Sequence, residues 1–423
     1  MKSKYYAGLD FGSSGARISI INSQKNLLHT DSTVYKFGFK NPKSWLIACE
    51  QLLSNTPDEI RINLSRISIS GTSGTLLACS LQGKEFGDSI PYNQICNVDK
   101  EMLDSIAGDI NYLRSPFSGL SKALILINIY GDKVLLRHQA DWITGWLLNK
   151  WDFGEEGNNI KLGWNVEKGC WPKTYNSLPW KTSLPLIVKS GKIIGKINNN
   201  LAKRFNLNKE LLIISGTTDS NASYLAAEVN KEEGLAVLGT TIVLKKYIQK
   251  PIQINGITNH KVKGDWILGG ASNAGCGVLS QFFSDSEIKE LSRQINPSKE
   301  TGFSYLPLNC KGERFPFDKP DLEPILTPRP VSDSLFLHAL FEGLAMIELK
   351  GWERFQKLTG TFPRKIITVG GGAKNPQWRS IRQRTIKIPI VSSNKTTSYG
   401  TALLALSSVN SSHSRFSNIN FSN

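Results

Sequence analysis

The stretch Tyr5–Asn22, YYAGLDFGSSGARISIIN, decides how this chain is read. It predicts a strand, a glycine-bounded turn and a second strand carrying Ile18, Ile20 and Ile21. The turn follows an acid, Asp10, and holds Gly12, Ser13, Ser14 and Gly15 ahead of the base Arg17. Glycine lets a backbone turn its N–H groups toward one point with no Cβ in the way. Consecutive N–H donors beside small hydroxyls form an anion pocket suited to phosphate oxygens. A carboxylate beside such a pocket would repel phosphate unless a divalent cation lay between them, so Asp10 suggests Mg²⁺. An ordinary hairpin turn would use the same glycines, and the rest of the chain has to decide.

The sequence contains no G-x-x-x-x-G-K-[ST], and no G-x-G-x-x-G leading into a helix. Neither a P-loop nor a Rossmann reading is supported. A strand–turn–strand phosphate site points instead to the RNase H-like domains shared by sugar kinases, actin and Hsp70. A length of 423 residues predicts two or three domains. With 40% hydrophobic and 20% charged residues the chain has an ordinary globular composition. Its six cysteines are scattered without a C-x-x-C, which argues against a zinc ribbon or disulfide framework and fits a reducing compartment. The first strand begins almost at Met1, and no apolar run approaches the roughly 20 residues that span a bilayer. A cytoplasmic protein without a membrane partner is expected. The net charge of +16 could serve nucleic acid, a solvated lysine-rich face or a funnel for phosphorylated ligands. Lys and Arg are spread along the whole chain with no dense basic run, so no nucleic-acid function is expected.

Further along, Asn41–Asn55 reads as a helix and Arg66–Ser70 as a strand running into Gly71-Thr72-Ser73-Gly74-Thr75. Ends of strands followed by small polar residues are where open α/β sheets place ligands, so Ser73 or Thr75 could face a substrate. Tyr92, Asn93 and Gln94 form a loop that could add to a polar pocket, and Arg137–Asn149 has helical spacing, its Asp141 reading as structural. Trp151–Trp180 reads as a long irregular cover whose tryptophans pack the loop down or stack on a sugar. Leu211–Gly216 is a strand carrying Asp219 just beyond its end, where a carboxylate is either a helix cap or a general base. Leu235–Tyr247 repeats strand, Gly-Thr-Thr turn and strand. Two such hairpins about half a chain apart suggest two related domains. Ser332–Gly360 is a long amphipathic helix with Leu335, Leu340, Leu344, Ile347 and Trp352 as core candidates. Gly370-Gly371-Gly372 follows a strand, and Asn375-Pro376 starts a helix. Bare glycine backbone there would let a flat ligand such as adenine lie against it. Thr396–Leu406 is a last helix with small residues for close packing, followed by a polar, low-complexity tail.

Together these pieces resemble the FGGY carbohydrate kinases from Tyr5 to about Leu406. DFGSSGAR (Asp10–Arg17) is similar to the family's first phosphate motif and LGTT (Leu238–Thr241) to its second. GTTDS (Gly216–Ser220) is similar to the strand carrying its catalytic Asp. SNAGCG (Ser272–Gly277) and GGGAKNPQW (Gly370–Trp378) resemble its C-terminal loops, the latter the adenosine site. The resemblance implies an α/β protein of two RNase H-like, actin-like ATPase domains of the sugar kinase type, with an ATP/sugar cleft between them. Residues 1–228 are the expected N-terminal domain, 229–406 the C-terminal domain and 407–423 a disordered tail.

It also implies ATP and Mg²⁺ as cofactors and ATP-dependent phosphorylation of a primary hydroxyl of a ketose, a pentulose such as D-ribulose or D-xylulose. A degenerate kinase acting as a sugar sensor, or a kinase for sedoheptulose or glycerol, is the alternative. Asp219 is the expected base. Gly12, Ser13, Ser14, Gly239, Thr240 and Thr241 are expected at the phosphates, and Gly371, Gly372 and Asn375 at adenosine. Asp10, Ser73, Tyr92, Asn93 and Asp219 are expected at the sugar, with Asp10 also at the metal. A monomer or homodimer is expected. Gly71-Thr72-Ser73-Gly74 stands where a bacterial xylulokinase would carry Met-His-Gly, and Gln94 where many relatives carry an acid. Both departures fall in the sugar pocket.

Overall fold

The computed structural model describes residues 4–408. Its contacts divide the chain into two units. The first comprises the described residues to Ala226, Val262–Gly264 and the described residues from Thr396 on; the second comprises Ala227–Lys261 and Asp265–Lys395.

Unit 1 is built on a six-stranded sheet. Its strands are β1 (Tyr5–Phe11), β2 (Gly15–Ile21), β3 (Leu27–Val34), β4 (Leu64–Gly71), β5 (Ile193–Lys196) and β6 (Leu212–Thr218), in the spatial order β3-β2-β1-β4-β6-β5. The expected opening hairpin is the antiparallel β1–β2 pair. β1, β4 and β6 run parallel. Alternation along β1 sorts its two faces. Ala7, Leu9 and Phe11 join a core with Trp45 and Leu52 of helix α1 (Pro42–Asn55) and with Ile143 and Leu147 of helix α2 (Gln139–Leu148). Tyr6, on the other face, packs with Tyr399 and Ala402 of the Thr397–Ser407 helix. That helix also lies against α3 (Asp219–Ala226) so closely that a Cβ on Gly400 would overlap the Ala222 carbonyl oxygen.

Four sequence expectations change. Arg137 and His138 are strand, not helix: Leu135–His138 pairs with Leu76–Cys79, and the helix begins at Gln139. The Thr397–Ser407 helix, expected in the C-terminal domain, packs in unit 1 because its small residues fit the β1 and β4 face. Ser407 is helical and Ser408 receives a hydrogen bond from Arg66 at 2.8 Å; the rest of the expected tail, 409–423, lies outside the described residues. Leu335, expected in the core, is exposed at the first turn of its helix. In the Trp-rich cover, Trp171 and Trp180 flank Tyr175, whose hydroxyl donates to the Leu162 carbonyl at 2.8 Å; these rings pack the loop down.

Unit 2 repeats the arrangement. Its strands are β7 (Gly234–Leu238), β8 (Ile242–Ile248), β9 (Ile257–Val262), β10 (Asp265–Ala271), β11 (Ile366–Val369) and β12 (Ile390–Ser392), in the order β9-β10-β8-β7-β11-β12. An antiparallel β7–β8 hairpin again borders a parallel extension through β11 and β12. Helix α4 (Asp333–Thr359) begins at the Ser332 cap and ends at Gly360, whose φ of 75° closes it. Helix α5 (Pro376–Ile386) is joined to α4 by a buried, two-pronged pair: Arg382 Nε to Glu348 Oε2 at 2.5 Å and Nη2 to Oε1 at 2.8 Å. Arg382 Nη1 also donates to Thr368 Oγ1 of β11 at 3.0 Å.

The packing of unit 1 makes two stability predictions. Gly400→Ala forces α3 and its neighbour apart and is expected to cost about 2–3 kcal/mol in urea denaturation; wild-type stability would contradict the close approach. Asp141, on α2, accepts from the Glu155 N–H at 2.9 Å and from Asn159 Nδ2 at 3.0 Å. Burial pushes its carboxyl up to about 7 from an unfolded value of 3.8. A raised folded value contributes stability that is complete below the unfolded pKa and lost as pH rises through the folded one. Asp141→Asn removes that slope, so its destabilisation relative to wild type should shrink by about 2–3 kcal/mol between about pH 5 and about pH 8. A difference independent of pH would show that Asp141 does not titrate in that window.

Candidate active site

Strand register assembles the site. In the parallel part of the unit 1 sheet Asp10 pairs with Ser70, Ser70 with Thr217 and Gly71 with Thr218. The carboxyl ends of β1, β4 and β6 are therefore level, and the residues that follow them open on one cavity of about 320 Å³. Asp10 and the Gly12-Ser13-Ser14 turn supply one wall, Thr72 and Tyr92 a second, and Asp219 with Ser220 a third. Arg17, Ser223 and Thr397 complete it. An edge where parallel strands end is where ligands bind in open α/β sheets.

The turn after β1 is held from within and behind. Gly12 N–H donates to the Gly15 carbonyl at 3.0 Å, and the Tyr35 hydroxyl donates to the Gly12 carbonyl at 2.8 Å. Ser13 and Ser14 are exposed at its tip. A Cβ on Gly15 would overlap the Thr33 carbonyl oxygen, so only glycine lets β3 pass this close.

Asp10 is nearly buried, and its Oδ1 accepts from Ser70 Oγ at 3.0 Å. Ser70 in turn is 2.8 Å from Thr401 Oγ1 of the Thr397–Ser407 helix. Burial raises the Asp10 carboxyl to about 7, the charge of Asp219 adds to the rise, and the Ser70 bond and Arg17 oppose it. Arg17 Nη1 stands 4.0 Å from Asp10 Oδ2 with half its side chain in solvent. Asp219 is half-buried at the start of α3, and its Oδ1 accepts from the Ser220 N–H at 2.6 Å. Two carboxyls thus meet at one cavity, an arrangement that favours a bound cation or a shared proton. Among the described residues no group of three or more His, Cys, Asp and Glu could hold a metal ion. The donor set fits a hard cation that keeps waters and phosphate oxygens as its other ligands, as Mg²⁺ does, and does not fit an all-protein cage.

Of the expected sugar residues, Asp10, Tyr92 and Asp219 border the cavity, whereas Ser73 and Asn93 do not. Thr72 takes the place expected for Ser73: it pairs through Oγ1 with Thr75 Oγ1 at 2.7 Å and lies 2.8 Å from Gln139 Oε1. Ser223 and Thr397, 3.1 Å apart through their hydroxyls, come from the two packed helices. Only the small-residue pattern of the last helix hints at a close approach there.

Unit 2 holds the expected nucleotide loops at one end of its own sheet. In the β7–β8 turn Gly239 N–H donates to the Thr241 carbonyl at 3.2 Å. The loop after β10 packs on this turn, with Cys276 N–H donating to Gly239 O at 2.9 Å and Gly277 N–H to Thr240 O at 3.0 Å. Gly370, with φ of 97°, lies over Leu238. A Cβ on Gly371 would meet nothing within 4 Å, so its backbone is open, whereas a Cβ on Gly372 would overlap the Trp378 ring. The Asn375 side chain is committed to structure: Oδ1 accepts from the Trp378 N–H at 2.9 Å and Nδ2 donates to Ser292 Oγ at 2.7 Å.

Among the described residues no helix is long and apolar enough to cross a membrane. Residues 234–409 match the sequence profile described as the FGGY family of carbohydrate kinases, C-terminal domain. A xylulose kinase of Lactococcus lactis is 24% identical over 410 residues, covering 88% of this chain and 81% of its own. A ribulokinase of Staphylococcus aureus is 29% identical over 134 residues, 30% of this chain and 24% of its own. The solved structure of a "xyloylose kinase" from Brucella ovis has the same fold, with a TM-score of 0.81 at 19% identity over 96% of this chain and 91% of that one. Residues 234–409 therefore carry a C-terminal domain of the FGGY carbohydrate kinase type, and along most of its length the chain is similar to a xylulose kinase and shares the fold of a solved sugar kinase.

Proposed function

We propose that this protein transfers the γ-phosphoryl group of ATP to a primary hydroxyl of a ketose, with a pentulose such as D-ribulose or D-xylulose as acceptor. The observation that carries the proposal is the pair of carboxyls, Asp10 and Asp219, opening on one cavity beside the Gly12-Ser13-Ser14 turn. Phosphoryl transfer leaves a protein mostly positioning and charge stabilisation to provide. In this reading the sugar lies in the unit 1 cavity against Thr72 and Tyr92. Asp219 accepts the proton of the primary hydroxyl as that oxygen bonds to the γ-phosphorus and the β–γ bridging oxygen leaves with ADP.

Asp10 would hold Mg²⁺ directly or through water, or bind a sugar hydroxyl; bound Mg²⁺ would offset the negative charge of the phosphates. Ser13 and Ser14 in unit 1, and Thr240 and Thr241 in unit 2, would donate to phosphate oxygens, while Gly12 and Gly239, whose N–H groups close the turns from within, would let the backbone approach the phosphates. Arg17, paired with Asp10, would brace the first of these turns. Gly371 would lie under adenosine, with Gly372 and Asn375 keeping that loop against α5. The xylulose kinase and ribulokinase alignments support a pentulose, and the Thr72 and Tyr92 wall supports an acceptor that offers hydroxyls.

A panel of ketoses, aldoses and polyols with Mg·ATP, scored by ADP release, tests the activity, with D-ribulose and D-xylulose expected to give the highest kcat/KM. Ligand binding without ADP release would instead identify a sugar sensor. A positioned base contributes about 10²–10⁴-fold. Asp219→Asn should therefore lower kcat by that factor while leaving KM for ATP within about threefold; wild-type turnover in this variant would remove Asp219 from the role of base.

A further inference from the structure

Gln139, the first residue of α2, is fully buried and does not border the cavity, yet it governs one wall of it. Its Oε1 accepts from the Thr72 backbone N–H at 3.0 Å and lies 2.8 Å from the Thr72 hydroxyl. A backbone N–H only donates, so the amide oxygen, not its nitrogen, must stand on this side. An amide oxygen only accepts, so Thr72 must give its hydroxyl proton to Gln139. Thr75 Oγ1 accepts from the Tyr92 N–H at 3.2 Å and lies 2.7 Å from Thr72 Oγ1. With the Thr72 proton committed to Gln139, Thr75 has to donate its own to Thr72. The polarity of the chain therefore runs one way, from Tyr92 through Thr75 and Thr72 to Gln139.

The geometry leaves little room for another arrangement. Gln139 N–H donates to the Thr75 carbonyl at 3.2 Å, clamping the far end of the same turn. A Cβ on Gly71 would stand 3.0 Å from Gln139 Oε1 and 3.2 Å from the Ala140 Cβ, so glycine is what lets the turn press against the helix start. A threonine hydroxyl has one proton and two lone pairs. Thr72 gives the proton to Gln139 and one lone pair to Thr75, which leaves one lone pair on the hydroxyl of a residue that lines the cavity.

We propose that Gln139 is a positioning residue that makes Thr72 an obligate hydrogen-bond acceptor in the cavity, so that the site selects sugars presenting a hydroxyl donor there. The inference rests on the sugar kinase reading above. A hydroxyl at that point of the sugar donates to Thr72. A ketone, an ether oxygen or a missing hydroxyl leaves the lone pair unmet in a buried place, which is how a polar site rejects an isostere.

The test compares the preferred pentulose with its monodeoxy analogues in wild type, Gln139→Glu, Gln139→Leu and Thr72→Val. Turnover of neither D-ribulose nor D-xylulose by wild type defeats the kinase reading alone, and the same comparison is then made on calorimetric Kd values. Wild type should reject at least one analogue by about 10–100-fold in kcat/KM or Kd. Gln139→Glu keeps the accepting oxygen and should keep that discrimination. Gln139→Leu and Thr72→Val should reduce it to about threefold or less, with KM for ATP within about twofold of wild type. Equal handling of all analogues by wild type, or discrimination that survives in Gln139→Leu, overturns the proposal. Should Gln139→Leu fail to fold, Thr72→Val leaves the helix untouched, and discrimination that survives there overturns it equally.

Discussion

The site depends on a carboxyl kept where water hardly reaches. Asp10 ends a central strand, is covered by the Thr397–Ser407 helix and faces a second carboxyl at the same cavity. A charge in that position is costly unless something positive or a proton joins it. Arg17 supplies little, since it stands off at 4.0 Å with half its side chain in solvent. That demand for positive charge is the physical ground for the proposed cation-bearing phosphate at the neighbouring turn, and the bond from Ser70 occupies Oδ1 of the carboxyl.

Around this constraint the fold is arranged by close backbone approaches. Gly15 lets β3 pass the Gly12-Ser13-Ser14 turn, Gly71 lets the β4 end press on α2, and Gly400 lets the last described helix settle on α3. Each removes a side chain where two elements must nearly touch. The result is a cavity whose walls come from sequence positions hundreds of residues apart, with Thr397 beside Ser223 and Thr401 beside Ser70. Unit 2 uses the same hairpin plan, with Gly239 in the turn and Gly370 lying over Leu238.

Much of this is legible in the amino-acid sequence, because its signals are local. Glycine turns between apolar strands predict the two hairpins, and a carboxylate just past a strand predicts Asp219 at a sheet edge. The Asn375-Pro376 helix start and the Gly360 stop are likewise local chemistry. What is not legible turns on alternation and distance. Whether Thr72 or Ser73 faces the cavity depends on a single step of register, which composition does not encode. Arg137 and His138 have helical spacing but are claimed by a strand partner some sixty residues away, Leu76–Cys79. Ser223 and Thr397 meet only because two helices pack, and nothing near either residue announces the other. Asn375 is expected at a ligand, yet both ends of its amide are used in holding its own helix and Ser292.

In the proposed reaction the acceptor sugar lies in the unit 1 cavity with its reacting hydroxyl at Asp219 and Asp10 close by. The most direct measurement is a diffraction structure of the protein soaked with D-ribulose or D-xylulose. The sugar is expected within hydrogen-bonding distance of both carboxyls and of Thr72, its primary hydroxyl on Asp219. Sugar density that leaves Asp10 and Asp219 without contact, in a crystal where the cavity is open to solvent, would rule out this placement of the acceptor.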